Sequence, residues 1–119
     1  KHLDLEVTLL GVYGGRLPAG AADGFHSMDA LIVSLRNETE IYLAAKTEEM
    51  KQRGLNKVSF AAKQGFEADE IIATARETLD TLIAMCTHGR TGVQRWMLGS
   101  VTETVVRHSD DPVLVVRPT

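Results

Sequence analysis

The run Thr81-Leu82-Ile83-Ala84-Met85 leads into Cys86-Thr87-His88-Gly89, nine residues from Arg90 to Leu98, and then Gly99-Ser100-Val101-Thr102-Glu103. The first five residues are mostly apolar, too few for a helix, and end at turn-forming residues, which reads as a buried strand. A helix is predicted from about Val101 to His108, and Pro112 to Arg117 closes the stretch as a second apolar strand. Strand, glycine-bracketed loop, helix and strand make one βαβ crossover.

The same alternation continues toward the N-terminus. Glu67, Asp69 and Glu70 put acid in the first turn of a helix whose apolar stripe is Ile71, Ile72, Ala75 and Leu79. Asn56 to Ala61 alternates through Val58 and Phe60 and predicts a short strand at a sheet edge. From Met28 to about Arg53, apolar residues at Met28, Leu31, Ile32, Leu35, Tyr42, Leu43 and Met50 follow helical spacing, and Gly54 stops the helix. Glu6 to Tyr13 is a near-continuous β-branched and apolar run, the pattern of a strand buried on both faces. Between Gly14 and Ser27, four glycines and Pro18 predict a mobile surface loop. This rhythm predicts an α/β fold with a parallel sheet, right-handed crossovers and helices on both faces. Ligands in such sheets bind beyond the carboxyl ends of the strands, which directs attention to the loops after Val12 and Met85.

Composition narrows the functions. The chain has 119 residues, 44% hydrophobic and 24% charged, as expected of one soluble domain. A net charge of -3 supplies no basic field for a phosphate backbone, so no nucleic-acid partner is expected. The single cysteine, Cys86, forms no internal disulfide and fits the reducing cytoplasm. No apolar run approaches the ~20 residues that span a bilayer, so no membrane partner is expected.

Two readings of the second glycine segment stand side by side. A helix opening at Gly99-Ser100 offers unpaired N–H donors and positive dipole potential to a phosphate, and Gly89 lets the backbone approach closely. Alternatively, Ser100 and Glu103 form a capping box that needs no ligand, and Glu103 sets negative charge near any phosphate. His88, Arg90 and Arg95 could touch phosphate or serve as turn and surface residues. Trp96 and Met97 read as packing residues, and Cys86 as a small buried one. The sequence contains no Walker or dinucleotide fingerprint, clustered metal ligands or nucleophile elbow.

The stretch from Thr81 to Arg117 resembles the C-terminal half of a universal stress protein. Nucleotide-binding members of that family carry Gly, two residues, Gly, nine residues, then Gly-Ser or Gly-Thr. Here Gly89 is the second glycine, the nine-residue spacer is intact, Gly99-Ser100 closes the pattern, and Cys86 replaces the first glycine. Val7 to Tyr13 looks like the family's second strand, so the resemblance covers most of the chain.

The resemblance implies an open parallel sheet with helices on both faces, Rossmann-like and of the adenine nucleotide alpha hydrolase-like type, in strand order 3-2-1-4-5. It places adenine contacts on Val12 and Met85, and phosphate contacts on Gly89, Gly99, Ser100, Val101 and Thr102. It implies ATP or another adenine nucleotide as ligand, with Mg accompanying it, and a homodimer formed through the C-terminal strand Val113 to Val116. Residues 1–119 are then a single domain whose family strand 1, with its Asp-bearing loop and helix, is missing. About 35 preceding residues are expected on that basis.

Three functions follow as expectations. The first is a cytoplasmic, homodimeric stress-response protein binding ATP as a regulatory ligand, with slow hydrolysis left open. The second, favoured by Cys86 and the missing strand, is a dimeric interaction module of the same fold without nucleotide. The third, a nucleotidyl-transferase-like enzyme, lacks a candidate acid, base or nucleophile.

Overall fold

A computed structural model describes residues 5–15, 17, 19–86 and 99–116 of the protein. Seven elements follow in order: β1 (Val7–Gly14), α1 (Met28–Gln52), β2 (Val58–Gly65), α2 (Glu67–Ala75), β3 (Ile83–Cys86), α3 (Ser100–His108) and β4 (Val113–Val116). They divide into two compact units, residues 1–66 and 67–119, each built on one parallel strand pair.

In the first unit, β1 and β2 pair from Val7↔Val58 to Gly14↔Gly65. Alternation places Leu9, Gly11 and Tyr13 on one face with Phe60, Ala62 and Gln64. Helix α1 lies on that face because Gly11 has no side chain. A Cβ there would stand 2.6 Å from Thr39 Cγ2 and 3.0 Å from Leu43 Cδ1. Thr39 is fixed in turn, its Oγ1 donating to the Leu35 carbonyl at 2.8 Å. Leu31 and Leu43 are buried, as is Thr47, whose hydroxyl donates to the Leu43 carbonyl at 2.8 Å.

Helix α1 begins at Ser27, whose Oγ accepts from the Ala30 N–H at 3.1 Å, and Asp29 adds acid to its first turn. It ends at Arg53, followed by Gly54 at φ +107, as the sequence predicts. Two members of the expected stripe lie off the buried face. Met28 and Tyr42 are exposed, and Tyr42 lies instead beneath Lys46 Nζ, 5.7 Å from the ring centroid.

Strand β2 runs four residues beyond the predicted Ala61. The ladder with β1 carries Ala62, Lys63 and Gln64 into extended structure that their own propensities do not favour.

In the second unit, β3 and β4 pair from Ile83↔Val113 to Cys86↔Val116. Ile72, Ala75, Ile83 and Val105 form the core, with Ala68, Ile71, Met85, Val101 and Val113 packed against it. Val105 has no exposed surface. Helix α2 stops at Ala75, so Leu79 does not extend the core stripe and is almost wholly exposed. The chain turns there through Asp80 at φ +60, while Thr81 Oγ1 donates to the Thr78 carbonyl at 2.8 Å. Each unit's sheet is thus one pair of parallel strands, β1–β2 in the first and β3–β4 in the second.

Candidate functional site

The glycine segment after β3 resumes at Gly99, which occupies the N-cap of α3. Its φ of -68 and ψ of 163 are open to any residue, so glycine is not required there by backbone conformation. Ser100 is the first helical residue, one position too late to act as the cap, and the N-cap Gly99 has no side chain to cap this terminus. The capping box is therefore not formed.

Glu103 also departs from its capping role. Its Oε2 accepts from Arg107 Nη2 at 3.0 Å, one turn along the helix, so its charge is paired away from the N-terminus. The Glu103 N–H donates to the Gly99 carbonyl at 2.9 Å, and Thr104 Oγ1 donates to the Ser100 carbonyl at 2.9 Å. What remains at the start of α3 is a set of amide donors at the positive end of a short helix, without a capping side chain.

The second unit brings several of the expected residues together. Met85, half-buried on β3, and Val101, in the first turn of α3, pack against the same core cluster. Gly99 is half-buried and Ser100 exposed, while Thr102 is buried. Val12 belongs to the first unit, near the carboxyl end of β1 and on the face opposite α1. Gly89 lies outside the described residues, as do His88, Arg90, Arg95, Trp96 and Met97. Of Cys86 the backbone is described, as the last residue of β3.

Sequence reading missed one polar pair. Arg36 Nε donates to the Tyr13 hydroxyl oxygen at 3.0 Å, joining the third turn of α1 to the carboxyl end of β1. The available signal was a tyrosine closing an otherwise apolar strand immediately before Gly14-Gly15.

Parallel strands joined by helices, with a glycine-led helix start after a strand, define a Rossmann-like α/β protein. The universal stress protein family model matches residues 1–117. Universal stress protein MJ0577 of Methanocaldococcus jannaschii is 32% identical over 121 residues, covering 98% of this chain and 68% of that protein. Universal stress protein MJ0531 of the same organism is 36% identical over 87 residues, covering 73% of this chain and 51%, about half, of its own length. Among solved structures, MJ0577 aligns with a TM-score of 0.76 at 31% identity, covering 96% of this chain and 76% of that chain. The hypothetical protein PH0823 aligns with a TM-score of 0.73 at 28% identity over the same shares. The chain belongs to the universal stress protein family.

Proposed function

We propose that the protein binds ATP or a related adenine nucleotide as a regulatory ligand in the cytoplasm and acts as a homodimer. The observation that carries this reading is the start of α3. Nine residues separate Gly89 from Gly99-Ser100, as in the nucleotide-binding members of the family, and the N-cap Gly99 brings no side chain to the first amides of the helix. With Glu103 paired to Arg107, the charge that counted against a phosphate is neutralised locally. The donor set fits a phosphate through backbone N–H groups of Gly99 to Thr102 and the Ser100 hydroxyl, with Met85 of the same unit as a wall for adenine. Mg would accompany the nucleotide through its phosphates.

The dimer reading rests on β4. It pairs with β3 on one edge, no strand covers its other edge among the described residues, and Leu114 and Val116 are 51% and 46% exposed. Sedimentation at micromolar concentration should show a dimer, and only monomer there rejects this part of the reading.

The nucleotide is tested at Gly99. Because its dihedrals suit any residue, Gly99→Val should fold while losing nucleotide binding in calorimetry. Unchanged affinity rejects the site. A second reading, a dimeric interaction module without nucleotide, is favoured by Cys86 in the place of the first glycine. Absence of adenine nucleotide from the purified protein, together with no calorimetric binding, would select it.

A further inference from the structure

The carboxyl end of β1 holds a donor-rich pair that the nucleotide reading does not use. Tyr13 is 7% exposed and stands on the α1 face of the strand, level with Gln64 of β2. Its hydroxyl oxygen accepts from Arg36 Nε at 3.0 Å, and among the described residues no hydrogen bond donated by the phenolic O–H is seen. A guanidinium carries five N–H donors, and this contact uses one.

The charge of Arg36 is not matched locally. Among the described residues it makes no ion pair, and Glu40, one turn further along α1, does not engage it. Neither β1 nor β2 contains an acidic residue, and β2 contributes Lys63 and Gln64 near its own carboxyl end. Arg36 lies between Ile32 and Thr39, which approach Gly14 and Gly11, so it springs from the side of α1 nearest the strand although the residue as a whole is exposed. The hydrogen bond to Tyr13 then limits where the planar head can point. A guanidinium held in this way, beside a phenolic donor and without a carboxylate, is matched by a ligand that supplies only acceptor oxygens and negative charge.

We propose that Tyr13 and Arg36 together form an oxyanion-binding element at the carboxyl end of β1, suited to a phosphate group. It is carried by residues 1–66 alone and does not rest on the assignment of Gly99 to Thr102. The phosphate is borne by a nucleotide or free in solution, and the two sources give different results in one experiment.

The test is a titration of the intact ¹⁵N-labelled protein with inorganic phosphate and, separately, with ATP at constant ionic strength, following the Arg36 Nε–H resonance. A saturable shift is expected. If phosphate and ATP both produce it, the element takes a free phosphate; if ATP alone does, it takes a nucleotide-borne one. Arg36→Gln should weaken the binding about tenfold, the scale of a charge-assisted hydrogen bond, and Tyr13→Phe should weaken it less. Arg36→Lys keeps the charge and stem, so it should retain part of the affinity and serve should Arg36→Gln not fold. The inference is overturned if neither titrant moves the Arg36 signal saturably, or if a folded Arg36 variant binds with the parent's affinity. A shift with phosphate in a protein that binds no ATP keeps this element and rejects the nucleotide reading.

Discussion

The two units seat and start their helices by different means. Helix α1 rests on β1 where Gly11 lets Thr39 and Leu43 come close, and a serine hydroxyl caps its first turn. Helix α3 is held by an apolar cluster around Val105, and its first turn follows a bare glycine. In the first unit backbone proximity fixes the helix position, and the helix terminus is satisfied locally. In the second, side-chain burial fixes it, and the N-cap residue supplies no side chain.

Substitutions can break this contrast, beginning where the effect is largest. Val105→Asp places an unpaired charge in a site with no exposed surface and should cost about 3–5 kcal/mol. Amide exchange should rise chiefly over residues 67–119; an equal rise over 5–66 would erase the distinction between units.

Gly11→Val should cost about 2 kcal/mol in denaturant unfolding, because its Cβ meets a threonine already fixed by its bond to Leu35. Adding Thr39→Ser removes the opposing methyl and should recover at least about 0.5 kcal/mol of that loss. Simple additivity of the pair would mean that the close approach does not set the helix position.

Ser27→Ala removes the cap of α1 and should lower stability by about 1 kcal/mol. Gly99→Ser should do the reverse at α3, gaining a few tenths of a kcal/mol, roughly the difference between these residues at an N-cap. Under the proposed function, that more stable variant binds nucleotide less well, which calorimetry beside a melting curve would reveal.

Much of the fold was legible because the hydrophobic period changes sharply along the chain. Val7 to Tyr13 and Ile83 to Met85 are too apolar and too short for anything but strands, although only Tyr13 of β1 is buried, and Gly54 marks a helix end by the positive φ it adopts. The errors fall where a partner or a turn decides. Ala62 to Gln64 become strand because β1 runs beside them. Leu79 continues the spacing of α2 on paper, yet the helix has already ended four residues before it.

The candidate site divides in the same way. The glycine spacing and the position of Met85 near the end of a strand could be read from sequence, whereas the Ser-x-x-Glu pattern could not say whether Gly99 or Ser100 takes the N-cap. That one-residue difference decides whether the amides are covered. The Tyr13–Arg36 pair spans 23 residues and depends on how α1 lies across β1, which no local pattern encodes.

The four-residue length of β4 limits what its outer edge can do. Pro112 has no N–H and can join a ladder only as an acceptor, as its carbonyl does for the Ile83 N–H at 3.0 Å on the β3 side. So short an edge can set the register between two copies but covers only a small part of the ~800 Å² per partner typical of a stable interface. Leu114 and Val116 would have to supply apolar contact, with further surface recruited around them. A dimer with these proportions would follow mass action closely, pairing at high protein concentration and coming apart on dilution.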